Sequence, residues 1–464
     1  MHARTPIAFL VALFVLFASA FARPVDDPER RAPAASAPDS KVFAWTSKKG
    51  LRYTWTLPPG YDAKTPRNLT VILHGTGLDY RWGHWNNKVG VFRPNDVVVS
   101  VDGTSEGQGD TRLFLGEPKD ASAFAEFLEE LRATFAVDRI YLYGHSQGGF
   151  FVTYFAGEYP NAVAGVVAHA SGSWTWAKFA PGLKKVALAF MHGTGDPVVP
   201  YGQSPGARDT YVEKGFELVH LNRLDRYNHW PNAIRATETL DWCQGMTAKT
   251  PEEALDCAKR ILTVKPADEY QWETLVDFSG ARDVLRRLEG KGPVPFKSVD
   301  AKVASEAKTW IAAIEKHGAA HVKELEKTLL KKALVLDGKP WLGHLIPLRE
   351  NFRGVDAVEA FLDVLKFDEK VKAHAKASKA MWEAWWNEKS EAKVAEAVLE
   401  GLPKGFLLDG FPSEFGERME GLRKVELPGK LGFDAFDAWS KGWKDGLKQY
   451  ENVWRTWEGP KARK

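Results

Sequence analysis

The feature that most restricts the fold of this chain is a series of short apolar runs, alternating with amphipathic segments, between residues 41 and 244. The runs are LTVILHG (69–75), DVVVSVDG (96–103), RIYLYGHS (139–146), AVAGVVAHA (162–170), KVALAFMHG (185–193) and FELVHLNRL (216–224). Most are apolar at consecutive positions, which is typical of strands buried on both faces of a parallel sheet. Between them, DASAFAEFLEELRATFA (120–136) places its apolar residues at helical spacing. The alternation predicts an α/β fold with a mostly parallel sheet covered by helices.

One of these strands leads into a turn in which a serine stands between glycines. In YLYGHSQGG (141–149), Gly144 and Gly148 lie two residues on either side of Ser146. In a tight strand-to-helix elbow the central residue is strained, and its neighbours at these two positions come too close for side chains. The elbow holds its central side chain clear of the backbone at a helix N-terminus. The pattern indicates that Ser146 is a nucleophile; the alternative is a glycine-rich turn with an incidental serine.

A serine hydroxyl is a poor nucleophile near neutral pH, so this interpretation needs a base and an acid that orients the base. HGTGDPVVPY (192–201) follows one predicted strand and offers Asp196, and RYNHWPN (226–232) follows the last strand and offers His229. Both stand just after strand ends, where the loops of a parallel sheet converge. Asp196 as a plain turn former and His229 as a surface histidine are the alternatives. The acids that flank His229, Asp225 and Asp241, remain rivals of Asp196.

The same chemistry needs N–H donors for the oxyanion that forms when serine attacks a carbonyl group. LHGTG (73–77) ends an early strand with two glycines, and Gln147 directly follows the serine. We expect the backbone N–H groups of Thr76 and Gln147 to be the two donors. The alternative for LHGTG is an ordinary turn.

Together, LHGTG, GHSQGG, HGTGDPVVPY and NHWPN resemble the motifs of the α/β-hydrolase superfamily, over about 200 of the 464 residues. Within it they are similar to exported esterases related to polyhydroxybutyrate depolymerases and feruloyl or acetylxylan esterases, and the first three also resemble enzymes of the carboxylesterase/phospholipase type. The resemblance implies ester hydrolysis through an acyl-enzyme. Ser146 would be the nucleophile, His229 the general base and then acid, and Asp196 the orienting acid, with no metal or organic cofactor. A serine peptidase and a non-catalytic binding protein are the alternatives.

Five tryptophans stand close in sequence to the predicted site loops: Trp82, Trp85, Trp174, Trp176 and Trp230. Aromatic walls suit short or aromatic acyl groups and sugar faces, because indole rings are broad, rigid and apolar. We therefore expect a small-molecule or polymer-linked ester as the substrate, bound in part by these residues. Ordinary packing of loop residues is the alternative.

The first 40 residues predict export. Residues 1–22 combine Arg4, an apolar run and small-residue cleavage patterns, as a signal peptide does, and residues 23–40 read as a flexible linker. We expect a periplasmic or extracellular protein that has no membrane association after cleavage. The formal charge of +3, from 63 basic and 60 acidic residues, gives no reason to expect a nucleic-acid partner.

The chain changes character after the predicted catalytic domain, residues 41–244. Residues 245–464 are rich in Ala, Lys, Glu and Leu and predict a helical accessory region of unknown role. Because an exported protein meets an oxidising environment, we expect a disulfide between Cys243 and Cys257, with two free thiols as the alternative. The HGAAH segment (317–321) lacks the glutamate of a zincin, so no metal site is expected.

Overall fold

The computed structural model of the chain describes residues 42–86, 92–225, 227–263, 276–326, 342–364, 367–368, 457 and 459–460. The chain divides into two units, which consist of Met1–Asn222 with Tyr227–Lys249 and of Arg223–Arg226 with Thr250–Lys464. The predicted signal peptide and linker lie outside the described residues.

A mostly parallel sheet carries the first unit. Its strands and those of a small hairpin are β1 (Phe43–Thr46), β2 (Arg52–Thr56), β3 (Arg67–Leu73), β4 (Val97–Val101), β5 (Ser105–Glu106), β6 (Arg112–Leu113), β7 (Val137–His145), β8 (Gly165–His169), β9 (Ala187–Gly193) and β10 (Val219–Leu224). Within the described residues, eight of them form one sheet in the order β1-β2-β4-β3-β7-β8-β9-β10, and β5 pairs with β6. Strands β4, β3, β7, β8 and β9 pair in parallel, whereas β1 and β2 form an antiparallel edge. The predicted fold class is confirmed.

Helices cover this sheet. They are α1 (Trp82–Asn86), α2 (Pro118–Thr134), α3 (Gln147–Glu158), α4 (Gln203–Glu213) and α5 (Ala233–Met246). Helix α2 starts at a proline, which suits the first helical position because the N–H that proline lacks has no partner there. Its residue Phe124 is fully buried and packs edge-on against Phe151 and Phe155 of α3, with ring centroids 5.6 and 4.9 Å apart. These contacts fix the helix that follows Ser146 against the core.

The described part of the second unit is helical, as predicted for this region. Its helices are α6 (Pro251–Leu262), α7 (Phe278–Leu288), α8 (Ala301–Leu325), α9 (Leu342–Asn351) and α10 (Asp356–Val364). Three of them, α6, α7 and α8, are capped at the N-terminus by the side chains of Thr250, Asp277 and Asp300, each of which accepts a hydrogen bond from a backbone N–H of the first turn. Among the helices that the structure describes, none has both the length and the apolar character that a bilayer span requires.

The predicted disulfide between Cys243 and Cys257 is wrong, because both cysteines are free and buried. The sulfur of Cys243 faces the sheet, 3.8 Å from the carbonyl oxygen of Val166 and 3.9 Å from that of Ala187. The sulfur of Cys257 instead accepts a hydrogen bond from Arg260 within the second unit. Each thiol is therefore held in the packing of its own unit, and burial raises the pKa of Cys243.

Candidate active site

Ser146 occupies a strained turn between β7 and α3. Its backbone has φ 53° and ψ −117°, in the half of conformational space that L-residues rarely adopt. The turn is held because the N–H of Ser146 donates to the carbonyl of His169 at 2.9 Å, and its own carbonyl accepts from Gly149 and Phe150. Strained residues of this kind concentrate at functional sites, where the surrounding structure enforces them.

The flanking glycines are required by close approach of the backbone. A Cβ atom on Gly144 would overlap the carbonyl of Gly148, and one on Gly148 would lie 2.5 Å from the carbonyl oxygen of Leu73. No side chain fits at either position without moving the backbone. The sequence pattern around Ser146 is therefore explained by the geometry of an elbow.

The turn that contains Thr76 lies directly against the serine. A Cβ atom on Gly75 would be 3.0 Å from the Cβ of Ser146. The preceding His74 is buried, and its Nδ1 donates to the carbonyl of Gly75 at 2.8 Å while its Nε2 accepts the N–H of Gly103 at 3.2 Å. Burial lowers the pKa of His74, so the ring is neutral and both nitrogens are paired. This arrangement fixes the turn beside the serine.

Gln147, the second predicted oxyanion donor, is the first residue of α3. The N–H groups of a helix's first turn have no partner inside the helix, so this N–H is available at the end of the elbow. Its side chain is engaged elsewhere, because Oε1 accepts the N–H of Phe114 at 3.4 Å. The two predicted donor positions thus stand on the two segments that meet at Ser146.

Asp196 and His229 are hydrogen-bonded to each other. Oδ2 of Asp196 lies 2.8 Å from Nδ1 of His229, and the carboxylate side chain is fully buried. Its Oδ1 accepts the N–H groups of Val198 and Val199 at 2.8 and 2.9 Å. Burial opposes ionisation of Asp196, but the hydrogen bonds from His192 and His229 outweigh it and hold the pKa of the carboxyl well below its usual value. Asp196 is therefore an anion that orients His229.

The loops that carry these two residues are tied together by backbone contacts. The N–H of Gly195 donates to the carbonyl of Tyr227 at 3.0 Å, and a Cβ atom on Gly193 would overlap that same carbonyl. Beyond His229, the side chain of Asn232 caps α5 by accepting the N–H groups of Ile234 and Arg235. The glycines of HGTGD thus permit the approach of the histidine loop.

The rival acids have other partners. Asp241 is buried and pairs with Arg93 at 2.6 Å, and Asp225 accepts from Arg223 at 2.8 Å. Asp196 is accordingly the acid that the structure brings to His229.

His192 also lies at this site, although no motif in the sequence marks it as a functional residue. Its Nε2 lies 3.1 Å from Oδ2 of Asp196, so that this carboxylate oxygen contacts two histidines. The signal was present in HGTGDPVVPY, because His192 stands four residues before Asp196 at the end of β9. As the end of an apolar run it had the pattern of an ordinary strand residue, and the sequence did not show that its Nδ1 would contact Ser204 of α4.

A pair of buried histidines lies next to the serine. His145, which precedes Ser146, has its Nδ1 3.0 Å from Nδ1 of His169, and its ring centroid is 4.7 Å from that of His229. Burial lowers the pKa of both His145 and His169 well below the usual value. These rings are therefore neutral, and the contact with His145 places the imidazole of His229 beside the elbow.

The five tryptophans have different environments. Trp82 is buried and stacks on His145 at 4.9 Å, whereas the side chain of Trp85 lies outside the described parts. Trp174 and Trp176 stack on each other, with centroids 5.4 Å apart and planes 8° apart. Trp176 and Trp230 are 46% and 47% exposed, and the ring of Trp230 lies 6.0 Å from that of His145. Trp176 and Trp230 thus present aromatic surface to solvent, and Trp82 does not.

Within the residues that the structure describes, no group of three or more His, Cys, Asp or Glu side chains is arranged to hold a metal ion. His317 and His321 of HGAAH are among these described residues, and both pack against aromatic rings of the second unit.

Part of the chain is similar to known hydrolases and to an acyltransferase. A family model described as alpha/beta hydrolase fold matches residues 103–233. A 2-hydroxy-6-oxononadienedioate/2-hydroxy-6-oxononatrienedioate hydrolase of Burkholderia vietnamiensis is 29% identical over 223 residues, which are 46% of this chain and 72% of the relative. The human 1-acylglycerol-3-phosphate O-acyltransferase ABHD5 is 30% identical over 110 residues, which are 24% of this chain and 31% of that protein.

Solved structures similar to this chain include esterases. The carboxylesterase of Bacillus cereus is 19% identical with a TM-score of 0.35, over 42% of this chain and 94% of its own. A ferulic acid esterase of Anaeromyces mucronatus is 17% identical with a TM-score of 0.33, over 45% of this chain and 91% of its own. The sheet order, the elbow at Ser146 and the family match lead to the same assignment. The chain contains an α/β-hydrolase fold.

Proposed function

We propose that this chain is a serine hydrolase that cleaves carboxylic esters, with Ser146, His229 and Asp196 as its catalytic triad. The observation that carries the proposal is the strained elbow at Ser146 combined with the buried Asp196 that hydrogen-bonds His229. A strained serine at a helix start has no structural use that a glycine would not serve better. An ionised acid bonded to Nδ1 of a histidine leaves Nε2 as a base.

The reaction follows from these groups. His229 Nε2 takes the hydroxyl proton of Ser146 as Oγ attacks the ester carbonyl, and the tetrahedral oxyanion is bound by the N–H groups of Gln147 and Thr76. Each such donor contributes about 3 kcal/mol in the transition state. The protonated His229 then gives its proton to the leaving alkoxide, which forms the acyl-enzyme and the free alcohol. Water, deprotonated by His229, cleaves the acyl-enzyme and restores the serine.

The substrate that we propose is an ester with a short or aromatic acyl group, as a small molecule or attached to a polymer. The half-exposed rings of Trp176 and Trp230 support this choice, because rigid indole faces favour flat groups over a long flexible chain that loses conformational freedom on binding. Acetyl, butyryl and hydroxycinnamoyl esters should be cleaved at least about tenfold better than palmitoyl esters by kcat/KM, a gap of about 1.4 kcal/mol. A preference for palmitoyl esters would contradict this part of the proposal.

We also propose that the protein is exported through residues 1–22, to the periplasm or the cell exterior, and acts on esters found outside the cytoplasm. The support is the sequence pattern alone. N-terminal sequencing of the protein recovered from each cell fraction tests this, and an intact Met1 in the cytoplasmic fraction would contradict it.

A fluorophosphonate probe tests the catalytic proposal directly, because it forms a covalent bond only with an activated serine. The wild-type protein should be labelled on Ser146, the Ser146→Ala variant should not, and a panel of chromogenic esters should lose turnover in parallel by about 10⁶-fold. Labelling that persists in Ser146→Ala would place the nucleophile elsewhere. A wild-type protein that is neither labelled nor active would instead favour a binding protein on a hydrolase scaffold.

A further inference from the structure

The ring of His192 is fully enclosed, and both of its nitrogens have partners. Nε2 lies 3.1 Å from Oδ2 of Asp196 and 3.0 Å from the carbonyl oxygen of Val199. Nδ1 lies 2.8 Å from Oγ of Ser204. Its side chain has no exposed surface. The proposed triad chemistry assigns this histidine no role.

The hydrogen-bond partners determine which nitrogens of His192 carry protons. A carboxylate oxygen and a carbonyl oxygen can only accept, so Nε2 must donate and is protonated. The hydroxyl of Ser204 has one proton, which it donates to the carbonyl of Ser171 at 2.5 Å. Its Oγ can therefore only accept from Nδ1. Nδ1 must be protonated as well, since a bare nitrogen would place a lone pair against a lone pair at 2.8 Å.

We propose that His192 is a protonated positioning residue, which holds Asp196 in place and lowers the tendency of His229 to become protonated. Its catalytic consequence rests on the proposed function, but its charge state does not. An imidazolium beside Asp196 offsets the anion that would otherwise make His229 more basic. We expect the charge on His192 to keep the proposed enzyme active at a lower pH than an uncompensated carboxylate would allow.

The other ionisable groups around His192 are consistent with this assignment. Asp196 is the anion that contacts it, and Tyr201 packs edge-on against its ring at 5.7 Å. His145 and His169, on β7 and β8, are both neutral because burial lowers the pKa of each ring. His229 shares the Oδ2 atom of Asp196 with His192. Asp196, His192 and His229 are therefore linked through one carboxylate oxygen, so the charge on one affects the other two.

The test is nitrogen NMR of the full-length protein labelled with ¹⁵N-histidine, in the wild type and three variants. His192→Gln keeps an amide donor within reach of Asp196 but cannot carry charge. Ser204→Ala removes the acceptor opposite Nδ1 and leaves the ring in place. Ser173→Ala is the matched control, because Ser173 is a nearby serine whose hydroxyl contacts Tyr211 rather than His192.

We expect the wild-type His192 to show two protonated nitrogens at pH 7. The pH at which His229 is half protonated should rise by about one unit in His192→Gln and in the same direction in Ser204→Ala, because a nearby positive charge is removed. It should not change in Ser173→Ala. A wild-type His192 with one bare nitrogen, or a His229 titration that is unchanged or falls in both test variants, would overturn the proposal.

Activity gives a separate readout. The acidic limb of the kcat/KM profile for an active ester should move to higher pH in His192→Gln by the same amount as the NMR titration, whereas a merely structural defect would lower the whole profile without moving it. If the NMR titration shifts as expected and no ester is hydrolysed by any form of the protein, the proposed function fails and the assignment of His192 stands.

Discussion

Oδ2 of Asp196 and Nδ1 of His229 lie 2.8 Å apart, although 33 residues separate the two in the chain. The acid is ionised in a fully buried position because two backbone N–H groups and two imidazoles compensate its burial. The bond also fixes the tautomer of His229, since a proton on Nδ1 leaves the Nε2 lone pair free. A mobile surface histidine would have neither property.

Replacing Asp196 by asparagine should therefore lower kcat by about 10³ to 10⁴-fold with little change in fold. The amide has the same shape, but it carries no charge and allows the wrong tautomer of His229. Steady-state kinetics on a short-chain chromogenic ester, with circular dichroism to verify folding, is the measurement.

The two rival acids are the matched controls. Asp225→Asn and Asp241→Asn should each retain kcat within a few-fold of the wild-type value per folded molecule. Asp241→Asn should lower the free energy of unfolding by about 3 kcal/mol, because it leaves the buried Arg93 without one of its anionic partners. The assignment of Asp196 would be contradicted if Asp196→Asn kept more than a tenth of the wild-type kcat while Asp225→Asn or Asp241→Asn was inactive. The inactive variant would then identify the acid of the triad.

Ser146 should lower the stability of the protein through its backbone conformation. At φ 53° a residue with a Cβ atom costs about 1 to 3 kcal/mol, which glycine avoids. Glycine loses about 0.5 to 1 kcal/mol of this advantage through its larger entropy in the unfolded chain. Ser146→Gly should therefore have a free energy of unfolding about 1 kcal/mol higher than Ser146→Ala, as measured by urea titration. Both variants lack the nucleophile, so equal stabilities would mean that the elbow is not strained.

The centre of the sheet could be predicted because its strands carry their own signal. The six predicted runs correspond to β3, β4, β7, β8, β9 and β10, and the helix predicted at 120–136 is α2, Pro118–Thr134. The edge strands β1 and β2 were not predicted. Both are antiparallel and short, and in RYTWT of β2 polar and aromatic residues alternate, so no continuous apolar run marks them.

The candidate site could be predicted where a motif fixes the backbone, and not where the contact depends on tertiary structure. Ser146 was found because glycines must flank an elbow. His192 was missed, since its role depends on Ser204 of α4 and on the carbonyl of Ser171, which follows β8. The disulfide prediction failed for the same reason, because compartment and spacing say nothing about which way each cysteine points.

Acid should destabilise the first unit through buried histidines. His84 is buried, with Nδ1 2.9 Å from the hydroxyl of Thr54, which itself donates to the carbonyl of Tyr80, and burial lowers the pKa of His84 to about 4. The unfolded chain takes up a proton on His84 near pH 6.5, whereas the folded protein does so only near pH 4. The contribution of neutral His84 to the free energy of unfolding is therefore complete above pH 6.5 and is lost as the pH falls toward 4. The contribution lost at His84 between pH 7 and pH 5 is about 2 kcal/mol.

The variant His84→Gln should remove this part of the pH dependence, because glutamine can donate to Thr54 but does not titrate. Hydrogen exchange measured by mass spectrometry at pH 7 and pH 5, corrected for the intrinsic rates, reports on each unit separately. His317→Gln is the control: this histidine, whose pKa burial lowers to about 4, belongs to the second unit and should leave the exchange of β3 and β4 unchanged. An identical pH dependence in wild type and His84→Gln would exclude His84 as a source of acid sensitivity.

Trp176 is held in a fixed orientation although almost half of it is exposed. Its Nε1 donates to the carbonyl of Gly116 at 2.9 Å, and its ring stacks on Trp174, which in turn stacks on Phe150 in the first turn of α3. Gly116 is needed for this arrangement, because a Cβ atom there would lie 2.7 Å from Nε1 of Trp176 and would overlap the ring of Trp174. An exposed ring that is fixed in this way loses little entropy when a flat group stacks on it.

We expect the ring of Trp176 to contribute to selectivity for aromatic acyl groups. Trp176→Ala should lower kcat/KM for methyl ferulate by about tenfold, since an aromatic pair is worth about 0.5 to 1.5 kcal/mol beyond the area that it buries. Hydrolysis of an acetyl ester, whose acyl group is too short to reach a stacked ring, should change less than about twofold. Trp176→Phe keeps an aromatic face but lacks the Nε1 hydrogen bond that orients the ring. Its kcat/KM for methyl ferulate should therefore lie between those of the wild type and Trp176→Ala. Steady-state kinetics of the three proteins on both esters decides the matter. Equal losses on the two esters would mean that Trp176 supports the fold of its loop rather than the acyl group.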